Sequence, residues 1–92
     1  MELYTFILDY LGGTYISQVK SSNKFEAMKL WIQNLQIDEI ENFSNNDKMN
    51  LIRDNFSDED PIAISGLKNV WHFLITTSKG TGFVNFVKTK RT

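Results

Sequence analysis

The chain has 92 residues and a formal net charge of −1, with 41% hydrophobic and 13% aromatic residues and no cysteine. Enough apolar surface is present for one core, and the absence of cysteine excludes disulfides and thiolate metal sites. A net charge near zero argues against general affinity for nucleic acid. No basic segment opens the chain, and no apolar run approaches the roughly 20 residues of a membrane span. We therefore predict a single α+β domain over residues 1–92, located in the cytoplasm and without a membrane partner.

Charge is unevenly distributed along the chain. Residues 1–35 hold three acids and three bases, residues 36–60 hold eight acids and two bases, and residues 61–92 hold five bases and no acid. Two interpretations stay open. Either the acidic and basic segments neutralise each other in the fold, or they give the surface two poles that steer a charged partner.

The first predicted element is a β-hairpin. Residues 3–10 alternate, which places Tyr4, Phe6, Leu8 and Tyr10 on one side of a strand. The adjacent glycines Gly12 and Gly13 predict a two-residue turn, since both can adopt a positive φ. Residues 14–20 then return as a second strand, and this turn would set Tyr10 opposite Tyr15.

Two capped helices follow. Asn23 with Glu26 predicts a helix from Lys24 to about Leu35, which buries the stripe Ala27, Met28, Trp31 and Leu35. An additional turn is expected within residues 37–43, with Ile40 and Phe43 directed inward. Ser44 with Asp47 predicts a second helix near residues 45–55, which would bury Met49, Ile52 and Phe56.

A β region is predicted after Pro61. Residues 62–64 form a short strand, and residues 70–77, rich in β-branched and aromatic side chains, form a longer one. A turn at Lys79–Gly80 leads into residues 83–89. The chain order β-β-α-α-(β)-β-β predicts a two-layer α+β sandwich, in which two helices cover one face of an antiparallel sheet of four or five strands.

No pattern in the sequence points to catalysis. His72 is the sole histidine, and a lone histidine on a strand is more often structural than catalytic. No serine lies in a nucleophile elbow, and the acid-rich residues 54–60 lack the spacing and glycine of a calcium loop. The pair Gly12–Gly13 lacks the strand–loop–helix context of a dinucleotide site. We expect a non-enzymatic protein with no catalytic residue, cofactor or metal.

Residues 79–86, Lys-Gly-Thr-Gly-Phe-Val-Asn-Phe, resemble the RNP1 signature of RNA-recognition motifs, with seven of eight positions in agreement. Thr81 departs from it, because the family has a base-stacking aromatic there, whereas Phe83 matches the other stacking position. The helices and strands do not alternate in that family's order, and a plain hairpin gives the same pattern. Single-stranded nucleic-acid binding is the alternative function, with candidate residues Lys79, Phe83, Lys88, Lys90 and Arg91.

A second resemblance covers residues 4–35, about a third of the chain. Gly-Gly-Thr-Tyr-Ile-Ser at residues 12–17, followed by Glu26 and Ala27, is similar to the hairpin-then-helix opening of HicB-type antitoxins and of small bacterial domains of uncharacterised function. It implies a β-β-α opening and a bacterial source. The Pro-Asp-Leu-Pro-Gly-Cys type of segment that follows the second strand in that family is missing, as is its DNA-binding segment. We therefore carry over neither its partner nor its residues.

The predicted strands leave one sheet face without a helix to cover it. It mixes apolar and polar side chains, a composition typical of non-obligate protein interfaces. The expected function is recognition of a protein, either a second copy or another chain. The candidate interface residues are Leu3, Ile7, Ile16, His72, Leu74, Phe83, Asn85 and Val87.

Overall fold

A computed structural model describes residues 1–53 and 61–89. In chain order, its elements are strands β1 (Glu2–Tyr10) and β2 (Gly13–Ser21), helix α1 (Lys24–Asn34), a 3₁₀ turn (Ile37–Glu39), helix α2 (Asn45–Arg53), and strands β3 (Ile62–Ala63), β4 (Val70–Thr77) and β5 (Gly80–Thr89). The described strands form one antiparallel sheet in the order β2-β1-β5-β4-β3. The predicted α+β sandwich is confirmed.

The first hairpin has the predicted faces but a different register. Tyr10 pairs with Gly13, so the turn residues are Leu11 and Gly12, with φ of 46° and 87°. The predicted turn at Gly12–Gly13 is wrong by one residue, and the predicted pairing of Tyr10 with Tyr15 is wrong by two, since Tyr15 pairs with Leu8. Side chains alternate with a period of two, so a shift of two residues keeps each side chain on its face.

Helix α1 begins where the sequence predicts. The side-chain oxygen of Asn23 accepts a hydrogen bond from the Glu26 N–H at 2.9 Å, which satisfies one otherwise free donor of the first turn. The predicted stripe is buried beneath the helix. The 3₁₀ turn supplies the additional turn expected after it, and Ile40 and Phe43 are both buried.

Helix α2 has a reciprocal capping box but a different buried face from the one predicted. The Asp47 N–H donates to the Ser44 hydroxyl at 3.0 Å, and the Ser44 N–H donates to the Asp47 carboxylate at 3.3 Å. Met49, predicted to be buried, is 49% exposed, whereas Leu51 is buried and Ile52 is partly buried against the core. The inward stripe is Asp47 and Leu51, one turn apart, because Asp47 has partners inside the protein. Phe56 and the predicted helix end near residue 55 lie outside the described residues.

The second long hairpin keeps its predicted faces. Thr77 pairs with Gly80, so the turn is Ser78–Lys79 and not Lys79–Gly80. Trp71 pairs with Phe86 across the strands. Strand β3 is one residue shorter than predicted, although the Ile64 N–H still donates to the Val70 carbonyl at 3.2 Å.

The core lies between the sheet and the two helices. The Phe6 ring, on the middle of β1, stacks on Phe86 at 4.6 Å and on Trp31 of α1 at 5.5 Å between ring centroids. The Tyr10 hydroxyl is buried and donates to the Asn42 carbonyl at 2.6 Å, which ties β1 to the loop before α2. Aromatic stacking of this kind adds to the free energy gained from burial alone. Across the described residues, no helix has the length and apolar character needed to cross a membrane.

Candidate functional site

The sheet face opposite the helices is the open face. In the described part of the chain, its four longest strands contribute Leu3, Thr5, Ile7 and Asp9 from β1, Thr14, Ile16, Gln18 and Lys20 from β2, Val70, His72, Leu74 and Thr76 from β4, and Thr81, Phe83, Asn85, Val87 and Thr89 from β5. Several large apolar side chains here are exposed, whereas their neighbours on the other face are buried. This contrast shows that α1 and α2 cover only one face.

A row of side chains crosses all five strands at the level of Ile7. Ile7 pairs with Ile16 on one side and with Asn85 on the other. Asn85 pairs with His72, and His72 pairs with Ile62. The middle of the open face is thus polar at two positions and apolar at both flanks.

Apolar pairs lie on either side of that row. Phe83 pairs with Leu74, and Val87 pairs with Val70, in both cases across β5 and β4. Diagonal neighbours on one face are about 7–8 Å apart, within reach of aromatic side chains, so the Phe83 ring can reach Ile7. Four apolar positions therefore form one connected strip from β2 to β4: Ile16, Ile7, Phe83 and Leu74.

The eight candidate interface residues all lie on this face. Ile16, Leu74 and Phe83 are 68%, 54% and 56% exposed. The other five, Leu3, Ile7, His72, Asn85 and Val87, are half-buried. Sequence reasoning missed Ile62, which is 59% exposed and joins the face through its pairing with His72. A strand of two residues shows no alternation, so only its pairing partner reveals which face it occupies.

Several polar groups of the open face are hydrogen-bonded to one another. The Thr14 hydroxyl donates to the Asp9 carboxylate at 2.7 Å, and the Gln18 amide donates to the Thr5 hydroxyl at 3.0 Å. The Thr5 and Thr89 hydroxyls also form a hydrogen bond. These groups have partners before any ligand arrives, so the large exposed apolar side chains are what a ligand would cover.

The candidate nucleic-acid residues are not gathered in one place. Phe83 lies on the open face opposite Asp9, whose negative charge repels phosphate. Lys88 lies on the helix side of the sheet, 3.8 Å from the Glu2 carboxylate. Lys79 is in the turn at the far end of β5, about 30 Å from Lys88 at strand spacing. Lys90 and Arg91 lie outside the described residues.

The second glycine of the RNP1-like stretch has a packing role. Gly82 lies on the covered face between β1 and β4, where a Cβ atom would approach Ile75 Cγ1 to 2.8 Å and Leu8 Cδ1 to 3.0 Å. Such contacts are too short for a larger side chain without a shift of its neighbours. Close packing therefore accounts for this glycine without reference to nucleic acid.

A shallow cleft of about 340 Å³ opens beside the start of α1. The Lys24 ammonium lies 5.3 Å from the Phe25 ring centroid and 5.5 Å from that of Trp71, and Lys88 pairs with Glu2. Burial raises the pKa of Tyr4 at its wall, and the charge of Glu2 raises this pKa further. Both ammonium groups of the cleft therefore interact favourably with groups of the chain itself.

The acidic middle segment is not neutralised by direct ion pairs within residues 1–53 and 61–89. The two ion pairs there are Lys29–Glu26 and Lys88–Glu2, and both acids belong to the first 35 residues. Among the same residues, no group of three or more potential ligands could hold a metal ion. The buried carboxylate of Asp47 binds the protein's own N–H and hydroxyl groups.

We compared the chain with models of known families, with curated proteins and with solved structures, and none of the three comparisons gave a match. Function is therefore inferred from the geometry of the open face.

Proposed function

We propose that this protein is a non-catalytic recognition domain that binds another protein through its open face. The observation that supports this is the set of four large apolar side chains on that face, each more than half exposed: Ile16, Ile62, Leu74 and Phe83. Scattered exposed apolar residues are normal on a protein surface, but a contiguous group is typical of an interaction site.

The chemistry of the face favours a protein partner with an apolar surface. Among the described residues, its acidic and basic side chains are Asp9 and Lys20, which lie near opposite ends of the face. Interface centres are depleted in charge and enriched in aromatic residues. Phe83 is on β5, the middle strand of the sheet, and is paired on both sides. It is therefore the best candidate for an anchor that fills a pocket of the partner.

The test is a charge placed at the candidate anchor, Phe83. Phe83→Lys should abolish capture of partner proteins by the immobilised chain, because it removes the aromatic anchor and places a hydrated ammonium, beside Asp9 of the same chain, against an apolar surface of the partner. Met49→Lys is the matched control, since Met49 is also exposed but lies on α2. Captured proteins are quantified by mass spectrometry, and folding is checked by circular dichroism.

Proteins retained by the wild type and Met49→Lys but lost from Phe83→Lys would support the proposal. If Phe83→Lys keeps every captured protein, the open face is not the binding site. Fluorescence anisotropy with single-stranded RNA at two salt concentrations tests the nucleic-acid alternative. Specific binding that falls steeply with salt would overturn the proposal in favour of that alternative.

A further inference from the structure

The two edges of the sheet differ. Strand β3 is two residues long, and a short strand is a common protection for a sheet edge. Strand β2 is nine residues long and pairs with β1 at every position from Gly13 to Ser21, without a bulge or a proline. A long, regular edge strand carries a row of N–H and C=O groups that can pair with another strand.

The register identifies the outward-facing groups. In a two-residue hairpin the residues that flank the turn, here Tyr10 and Gly13, form a hydrogen-bonded pair, and such pairs alternate along the strands. The backbone groups of Thr14, Ile16, Gln18 and Lys20 therefore point away from β1. Continued across β1 and β5, this alternation directs the backbone N–H of Lys88 away from β1 and towards the β4 side. The structure agrees, because the Lys88 N–H donates to the Asn69 carbonyl at 2.9 Å.

We infer that β2 pairs antiparallel with β2 of a second copy of this chain, so that the two sheets become one. All four outward residues are exposed. Only the register centred on Ser17 engages all of them, since it pairs Thr14 with Lys20 and Ile16 with Gln18 of the second copy, and the reverse. Each of these pairs exchanges two backbone hydrogen bonds.

The side chains of β2 suit this arrangement. Lys20 is the only charged residue of the strand, and antiparallel pairing separates the two copies of Lys20 by about 20 Å. Each Lys20 instead lies beside Thr14 of the other copy, whose hydroxyl donates to the Asp9 carboxylate at 2.7 Å. At each end of the paired β2 strands, the Lys20 ammonium of one copy thus approaches the Asp9 carboxylate of the other. On the helix side, Tyr15 comes opposite Val19 of the second copy.

Pairing of two copies through β2 does not depend on recognition of a partner through the open face. The pairing uses the edge of the sheet, and its twofold axis leaves both open faces on the same side. Each proposal can therefore be wrong without the other being wrong. Phe83→Lys tests the open face, and Ser17→Cys and Gln18→Pro test the pairing of β2.

Cross-linking tests the register directly. The chain contains no cysteine, so Ser17→Cys introduces a single thiol, which the twofold axis places opposite its own copy. Side chains in such a non-hydrogen-bonded pair have Cβ atoms about 4.5 Å apart, within disulfide reach. Mild oxidation should give a disulfide-linked dimer several-fold faster than for Ser65→Cys, which is also exposed but far from β2. Equal rates for the two variants would overturn the inference.

Removal of an outward N–H tests the hydrogen bonds. Gln18→Pro deletes a donor that β1 does not use, and proline is tolerated at such edge positions. It should weaken dimerisation by roughly tenfold or more, because one bond is lost from each copy. Gln18→Ala, which keeps the N–H, should dimerise like the wild type in sedimentation equilibrium.

Three outcomes contradict the edge pairing. The first is a wild type that stays monomeric by light scattering at millimolar concentration. The second is a dimer that Phe83→Lys dissociates and Gln18→Pro does not, since the copies would then meet through the open face. The third is a Gln18→Pro variant that stays folded by circular dichroism and dimerises as tightly as Gln18→Ala. If Gln18→Pro fails to fold, the cross-linking rates of Ser17→Cys and Ser65→Cys still test the pairing of β2.

Discussion

Asp47 connects two elements that are far apart in sequence. Its carboxylate caps α2 through Ser44, and it also accepts hydrogen bonds from the Ser78 N–H at 2.9 Å and the Ser78 hydroxyl at 3.2 Å. These hydrogen bonds hold the pKa of Asp47 below its ordinary value, and the Ser78 N–H makes the largest contribution, while burial acts in the opposite direction. One ionised side chain thus fastens the second helix to the β4–β5 turn.

The lowered pKa of Asp47 predicts a pH dependence of stability. The pKa in the folded state lies below that of the unfolded chain, about 3.9, so the stabilisation is fully present above that pH and is lost as pH falls through the folded-state value. Asp47→Asn should cost roughly 1.5–3 kcal/mol at pH 7 and should lose less further stability in acid than the wild type. Urea unfolding between pH 7 and pH 2.5 measures both. If the free energy of unfolding fell by the same amount in both proteins between pH 7 and pH 2.5, ionised Asp47 would not contribute to stability.

Asn23 makes a separate prediction at the start of α1. Asn23→Ala removes the acceptor of the Glu26 N–H and should lower the free energy of unfolding by about 0.5–2 kcal/mol. Ser22→Ala, at the exposed position just before it, should change stability by much less. Urea unfolding of the two variants side by side is sufficient. Equal losses would mean that the cap contributes nothing of its own.

At the scale of elements, the first turn contains avoidable strain. Leu11 adopts a φ of 46°, in the left-handed region that asparagine and glycine occupy more readily than leucine. The following Gly12, at 87°, suits that conformation. A turn with positive φ at both central residues favours Asn-Gly, so the sequence Leu-Gly is a suboptimal choice for this hairpin.

Leu11→Asn should therefore stabilise the protein by up to about 1 kcal/mol through relief of backbone strain. Gly12→Ala should destabilise it, because alanine is strained at that φ although no atom lies within 4 Å of the added Cβ. Thermal unfolding midpoints should be higher than that of the wild type for Leu11→Asn and lower for Gly12→Ala. A lower midpoint for Leu11→Asn would show that contacts of the leucine side chain outweigh the strain.

Sequence predicts which face a strand residue occupies better than it predicts that residue's partner. The alternation Tyr4, Phe6, Leu8 and Tyr10 identifies the buried side of β1 in any register of even shift, so an error of two residues in the first hairpin does no harm. The helical stripe of α2 is different. Its inward position is occupied by a carboxylate, Asp47, and a polar residue there conceals the phase of the helix, so Met49 is wrongly expected to be buried.

For the open face too, the sequence predicts which residues share the face but not which residues pair across it. Its eight candidate residues could be placed on one face from alternation alone, because no knowledge of strand order was needed. The position of Asp9 beside Phe83 could not be predicted, because β1 and β5 pair across most of the chain's length and neither strand carries a local signal for the other. The pairing of Asp9 with Phe83 is the strongest argument against a nucleobase stacking on Phe83, because the Asp9 carboxylate repels phosphate.

For the whole molecule, the two tryptophans report on different parts of the core. Trp31 is 1% exposed and packs on Phe6, whereas Trp71 is half-buried beside the cleft at the start of α1. With Trp71→Phe, the remaining emission from Trp31 should be blue-shifted and poorly quenched by iodide. With Trp31→Phe, the emission from Trp71 should be red-shifted and better quenched. The reverse order would contradict the packing of α1 on the sheet.

The placement of β1 beside β5 has a consequence for the order of folding. Leu3 pairs with Thr89, so β1 leaves the ribosome long before β5, the strand that pairs with its second edge. The β1–β2 hairpin and α1 can form early from local contacts, whereas the β4–β5 hairpin has to dock on them afterwards. Closing such a long loop is entropically costly and slows folding. During synthesis, the edge of β1 that will pair with β5 therefore stays unpaired until β5 has been made.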